Sequence, residues 1–144
     1  MKTTKLNFPT RTMVFLVVAT IMVFAFHSCA TKTTFLRSSV VPAAEGKVTI
    51  KEDKNENFNI KMTISNLADV ERLQPPKNSY VVWLESDQGN PRNVGRIITS
   101  DRLKVNFETV ATQRPNRLFI TAEDNQNVQY PGSVVVLTTD RIRY

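Results

Sequence analysis

Between Phe58 and Ser65 the chain reads FNIKMTIS, in which Phe58, Ile60, Met62 and Ile64 alternate with Asn59, Lys61, Thr63 and Ser65. An extended backbone turns successive side chains to opposite faces, so this period of two gathers the four apolar groups on one side. A helix would scatter the same residues around its axis. The stretch is therefore a half-buried strand, and its apolar face requires a second layer to cover it.

The same signal recurs along the chain. Val48 and Ile50 alternate in the preceding segment, and the polar EDKNEN between the two reads as the turn of a hairpin. SYVVWL (79–84) is apolar on both faces and reads as a central buried strand, followed by the turn-forming SDQGNPRN. VGRIIT (94–99), LKVNFETV (103–110), RLFITAE (117–123) and SVVVLTT (133–139) complete the set. One short helical turn is expected at LADVERL (67–73), stopped by Pro75 and Pro76. About seven strands with turns every 8–12 residues are the arithmetic of an all-β, immunoglobulin-like sandwich. Trp83 falls on the central strand, where such sandwiches often place a core tryptophan. The paired cysteines of antibody domains are absent, since Cys29 is the chain's single cysteine.

The N-terminus follows a different plan. Lys2, Lys5 and Arg11 precede a charge-free run from Met13 to Phe26, and no acidic residue appears before Glu45. A basic start, an apolar stretch of about 7–15 residues and a small-residue end make a secretory signal peptide. The run is short against the roughly 20 apolar residues of a membrane-spanning helix. The alternative is an uncleaved anchor. Ala25-Phe26-His27-Ser28-Cys29 resembles the lipobox of bacterial lipoproteins, with Ser28 before the cysteine and His27 where a small residue is usual. The resemblance implies cleavage between Ser28 and Cys29, lipidation of Cys29, and a protein held at an extracytoplasmic membrane surface. The expected organisation is a signal peptide over 1–28, a lipidated cysteine and polar tether over 29–39, and one sandwich domain over 40–144. Ala30 after the cysteine, with no acidic run, is similar to periplasm-facing lipoproteins.

Removing residues 1–28 lowers the formal net charge from +6 to +3. Lys and Arg then alternate with Asp and Glu, without the clustered stripe that nucleic acid requires, so no nucleic-acid partner is expected. The chain's one histidine, His27, leaves with the signal, and Cys29 is consumed by acylation. Ser-His-Asp and Cys-His catalysis and Cys/His zinc sites thereby lose their residues. Four glycines in all supply no phosphate loop. Asp53, Asn55 and Asn57 have the 1-3-5 spacing that opens a calcium loop, but Phe58 and Ile64 stand where that loop needs Gly and Glu. They read as a turn. Glu85 with Asp87, and Glu123 with Asp124, are the carboxylate pairs a small hydrolase would use. The residues point to a non-catalytic protein without cofactor or metal, whose partners are the membrane and an envelope protein or component.

The second half carries one more likeness. YVVWLESDQGNPRNVGRI and LFITAEDNQNVQYPGSVVVL resemble the extracytoplasmic domain of anti-sigma factors of the anti-sigma-K type. The matching residues are Tyr80, Trp83, Leu84, Gly89, Gly95, Thr121, Glu123, Pro131 and the strand 134–137. The resemblance spans about 60 residues and implies the same fold and the same side of the membrane. Those proteins also carry a cytoplasmic sigma-binding region before this domain. Here a 28-residue signal segment stands in that place, so the resemblance implies a sensor or accessory module rather than sigma binding.

Overall fold

The computed structural model of the protein describes residues 30–99 and 104–144. The expected signal segment, with His27 and Ser28, and the expected lipidation residue Cys29 lie outside the described residues, as does Leu103 at the expected start of one strand. Among the described residues, eight strands form two antiparallel four-stranded sheets. They are β1 (Ala30–Thr34), β2 (Glu45–Glu52), β3 (Phe58–Ser65), β4 (Ser79–Glu85), β5 (Arg92–Ile97), β6 (Lys104–Ala111), β7 (Arg117–Glu123) and β8 (Val135–Thr138). The first sheet has the order β1-β2-β3-β6 and the second β5-β4-β7-β8. The chain changes sheet between β3 and β4, again between β5 and β6, and back between β6 and β7. These crossings are the Greek-key plan of an immunoglobulin-like sandwich.

The core lies where the alternation puts it. Val48, Ile50, Ile60, Met62 and Ile64 from the first sheet face Tyr80, Val82, Leu84, Leu118 and Ile120 from the second. Each of these is at most 2% exposed, and burying a side chain of this size contributes about 1.5–3 kcal/mol. A 3-10 turn over Val70–Arg72 occupies the expected helical position, and buried Val70 and Leu73 close the core beside it.

Two features differ from the sequence expectation. The segment read as a polar tether (29–39) is structured from its second residue: Ala30–Thr34 form the eighth strand, pairing antiparallel with β2 from Ala30↔Lys51 to Thr34↔Lys47. The first sheet therefore includes residues ahead of 40. The ladder is favourable because β2 would otherwise expose an unpaired edge. Beyond β1, Phe35 bridges Thr139 and the Leu36 N–H donates to the Thr138 carbonyl at 2.8 Å. This links the edges of the two sheets. Ser38 then accepts from the N–H groups of Val40 and Val41, which folds the segment back toward β2.

The second difference is Trp83. It is fully buried, but not between the sheets. Tyr80, Val82 and Leu84 take the inner face of β4, so Val81 and Trp83 point outward. There Trp83 stacks on Phe119 at 6.2 Å between ring centroids, and the β7–β8 connection covers both through Val128.

Candidate functional site

That outer face holds the most organised polar group among the described residues. Phe119, Thr121 and Glu123 project from β7 on the side of Trp83, because strand residues two apart share a face. Trp83 donates its indole N–H to Thr121 Oγ1 at 2.8 Å, and the Thr121 hydroxyl donates to Glu123 Oε1 at 2.5 Å. The Gly132 N–H donates to the same carboxylate oxygen at 2.7 Å. Thr121 is fully buried and Glu123 is 7% exposed. Such groups are stable inside a protein only when hydrogen-bonded. A Cβ on residue 132 would stand 2.6 Å from Glu123 Oε2, so only glycine lets the loop approach the carboxylate this closely.

The loop is fixed at further points. Asn93, facing outward beside Trp83, donates its amide to the carbonyls of Gln126 at 3.0 Å and Val128 at 3.1 Å. Arg96 reaches the Gln126 side chain, and Asn78 donates to the Asp124 carbonyl. The result is a roofed hydrogen-bond chain rather than an open cleft: Trp83, Thr121 and Glu123 are satisfied by one another and by Gly132. The sequence resemblance carries Trp83, Thr121 and Glu123 as separate residues. Their shared face on β4 and β7 is the signal that joins them.

The carboxylate pairs do not converge. Glu123 turns into the network while Asp124 turns out to Lys77 at 2.7 Å. Glu85 lies 3.7 Å from Arg117, and Asp87 lies 3.4 Å from Arg141. Two carboxylates that share a substrate must face one another across it; here Asp124, Glu85 and Asp87 each face a different basic side chain. Asp53 is a turn residue: its Oδ1 accepts from the N–H groups of Asn55 at 2.8 Å and Asn57 at 2.9 Å, and its Oδ2 from the Asn57 side chain. The bond from the Asn57 backbone holds its carboxyl below the usual range. Among the described residues, no three His, Cys, Asp or Glu side chains form a group that could hold a metal ion.

An open groove of about 730 Å³ lies across one end of the first sheet, lined by Phe35, Arg37, Glu45, Lys47 and Lys104 among others. Ser28 and Cys29, the expected cleavage and lipidation residues, precede Ala30 directly in sequence. No helix among the described residues is long and apolar enough to cross a membrane. Comparison with known proteins finds no matching family model, no curated protein with a matching sequence and no matching solved structure.

Proposed function

We propose that this chain is a lipid-anchored, extracytoplasmic β-sandwich lipoprotein with a non-catalytic role. It binds a protein or another envelope component at a membrane surface. The observation that carries the reading is the apolar run Met13–Phe26 ending in Ser28-Cys29, immediately before a sandwich that starts at Ala30. Acylation would make Cys29 the mature N-terminus, one residue ahead of the first described strand. Fractionation of cells producing the full chain tests it. The protein is expected in the membrane fraction, resistant to salt and released by detergent, while Cys29→Ala accumulates as a longer precursor. A wild-type protein recovered without detergent refutes the anchor.

A second reading is an accessory or sensor module of an envelope signalling system related to anti-sigma extracytoplasmic domains. It is favoured by the meeting of Trp83, Thr121 and Glu123, three residues of that resemblance, in one network. It predicts an inner-membrane protein partner. Crosslinking in cells that repeatedly recovers none counts against it.

A further inference from the structure

The charges after Cys29 are unevenly placed. That part of the chain has sixteen Lys and Arg and thirteen Asp and Glu, a net charge of +3. On the outer face of the first sheet, the register puts Lys32 of β1, Lys47 and Lys51 of β2, Lys61 of β3 and Lys104 of β6 on one side. The same face carries two acids, Glu45 and Glu108, the latter 2.9 Å from Lys61. Five against two is again +3, so the ten basic and ten acidic residues elsewhere among the described residues cancel. The whole excess charge of the described residues lies on one face. Threonine, asparagine, Ser65 and the exposed Val110 fill it out, with Thr63 bonded to Asn106 at 3.0 Å.

The position of the anchor gives this face its occupant. Ala30 pairs with Lys51, an outer-face residue, so the strand leaves the leader at a corner of the lysine face. With β1 starting at residue 30, no slack separates Cys29 from the sheet. We infer that the outer face of β1-β2-β3-β6 lies against the anionic phospholipid headgroups of the membrane that holds the lipid. The inference rests on the proposed acylation of Cys29. A lipid chain and a basic patch are the two signals that together make stable membrane attachment. Lysine suits a diffuse layer of headgroups, since its ammonium is a compact point charge without arginine's bidentate geometry. The end of the sandwich near Glu52 and Arg114 is a poorer match. There Arg114 faces Glu52, Arg117 faces Glu85 and Arg141 faces Asp87, which neutralises the arginines locally.

The test uses the membrane-extracted full-length product in vesicles of phosphatidylcholine with about one third phosphatidylglycerol. A fluorophore is placed at Asn106→Cys on β6, about 14 Å across the sheet from β1. Separate variants carry it at Gln129→Cys, on the opposite side of the sandwich, and at Asn55→Cys, in the β2–β3 turn. Nitroxide-headgroup lipid is expected to quench the Asn106 probe well above the other two. The preference is expected to vanish in pure phosphatidylcholine, or when ionic strength rises from about 0.05 to about 0.5 M. Changing Lys32, Lys47, Lys51 and Lys104 together to Gln should abolish it too, at about fivefold in surface partitioning per lysine. Thr63→Val, on the same face and without charge, should leave it intact. Equal quenching at all three probes, or strongest quenching at Asn55, overturns the inference while leaving the anchor in place. The intact mass of the same preparation reports acylation separately. If Cys29 carries no lipid, the anchor reading fails. The face is then judged by sedimentation with the same vesicles, and equal binding to neutral and anionic ones overturns it.

Discussion

Replacing Thr121 by valine isolates the hydrogen-bond chain on the outer face of β4 and β7. Valine occupies nearly the same volume, so little cavity energy enters, and what is lost is the hydroxyl. That hydroxyl is fully buried, accepts from Trp83 at 2.8 Å and donates to Glu123 at 2.5 Å. Leaving the indole N–H without a partner costs about 1–3 kcal/mol, and a bond to a charged carboxylate contributes about 1.5–3 kcal/mol. Glu123 keeps its bond from Gly132, and neighbouring losses do not add fully. The expected net loss is therefore about 2–4 kcal/mol. Typical domains are stable by about 5–15 kcal/mol, so this is a large share. Urea titration followed by far-ultraviolet circular dichroism should give a lower midpoint at unchanged slope. Thr63→Val, whose hydroxyl bonds to Asn106 on an exposed face, serves as the control and should change stability by less than about 0.5 kcal/mol. A Thr121→Val loss as small as the control's would refute the argument that the network is dry and structural.

Three further outcomes follow from the same geometry. Gly132→Ala would put a methyl 2.6 Å from Glu123 Oε2. It should cost about 1–3 kcal/mol and alter the near-ultraviolet dichroism of Trp83, and an unchanged signal would contradict the close approach. Asn93→Ala removes both side-chain bonds to the loop backbone; acrylamide should then quench Trp83 several-fold faster, whereas an unchanged rate would mean other contacts hold the roof. Burial, and secondarily the charge of Asp69, push the Tyr80 phenol up to about 12. Burial likewise raises Tyr144 to about 12. A raised folded-state value means that stability from these groups is full below about pH 10 and is lost as pH climbs toward about 12. Thermal melts should fall over that window, and less steeply in Tyr80→Phe; identical slopes would dismiss the tyrosine contribution.

Much of the sandwich is written in side-chain periodicity. FNIKMTIS is β3 with every apolar residue facing in, and RLFITAE is β7 to the residue. β5 begins two residues earlier than expected, at Arg92, because its pairing with Leu84 extends through polar residues that carry no hydrophobic signal. β1 was illegible for the same reason. Thr31 and Thr33 take its inner side, so ATKTT has no apolar alternation, and only its β-branched threonines favour a strand. Trp83 illustrates a different limit. SYVVWL is apolar on both faces, so periodicity gives no inward direction, and the covering segment EDNQNVQYPG reads only as turn. Which face was core depended on Val82 pairing with Ile120 across β4 and β7, a long-range register. The candidate site needed that register too, since Thr121 and Glu123 acquire meaning only beside Trp83.

The claim that organises all of this is that the chain matures at Cys29 and is held by lipid there. The most direct measurement is the intact mass and N-terminus of protein extracted from membranes, beside the Cys29→Ala variant. The account predicts a chain beginning at Cys29 with the added mass of two or three acyl chains, and no such species in the variant. A product retaining Met1, or a soluble chain cut at another residue without lipid, would contradict it.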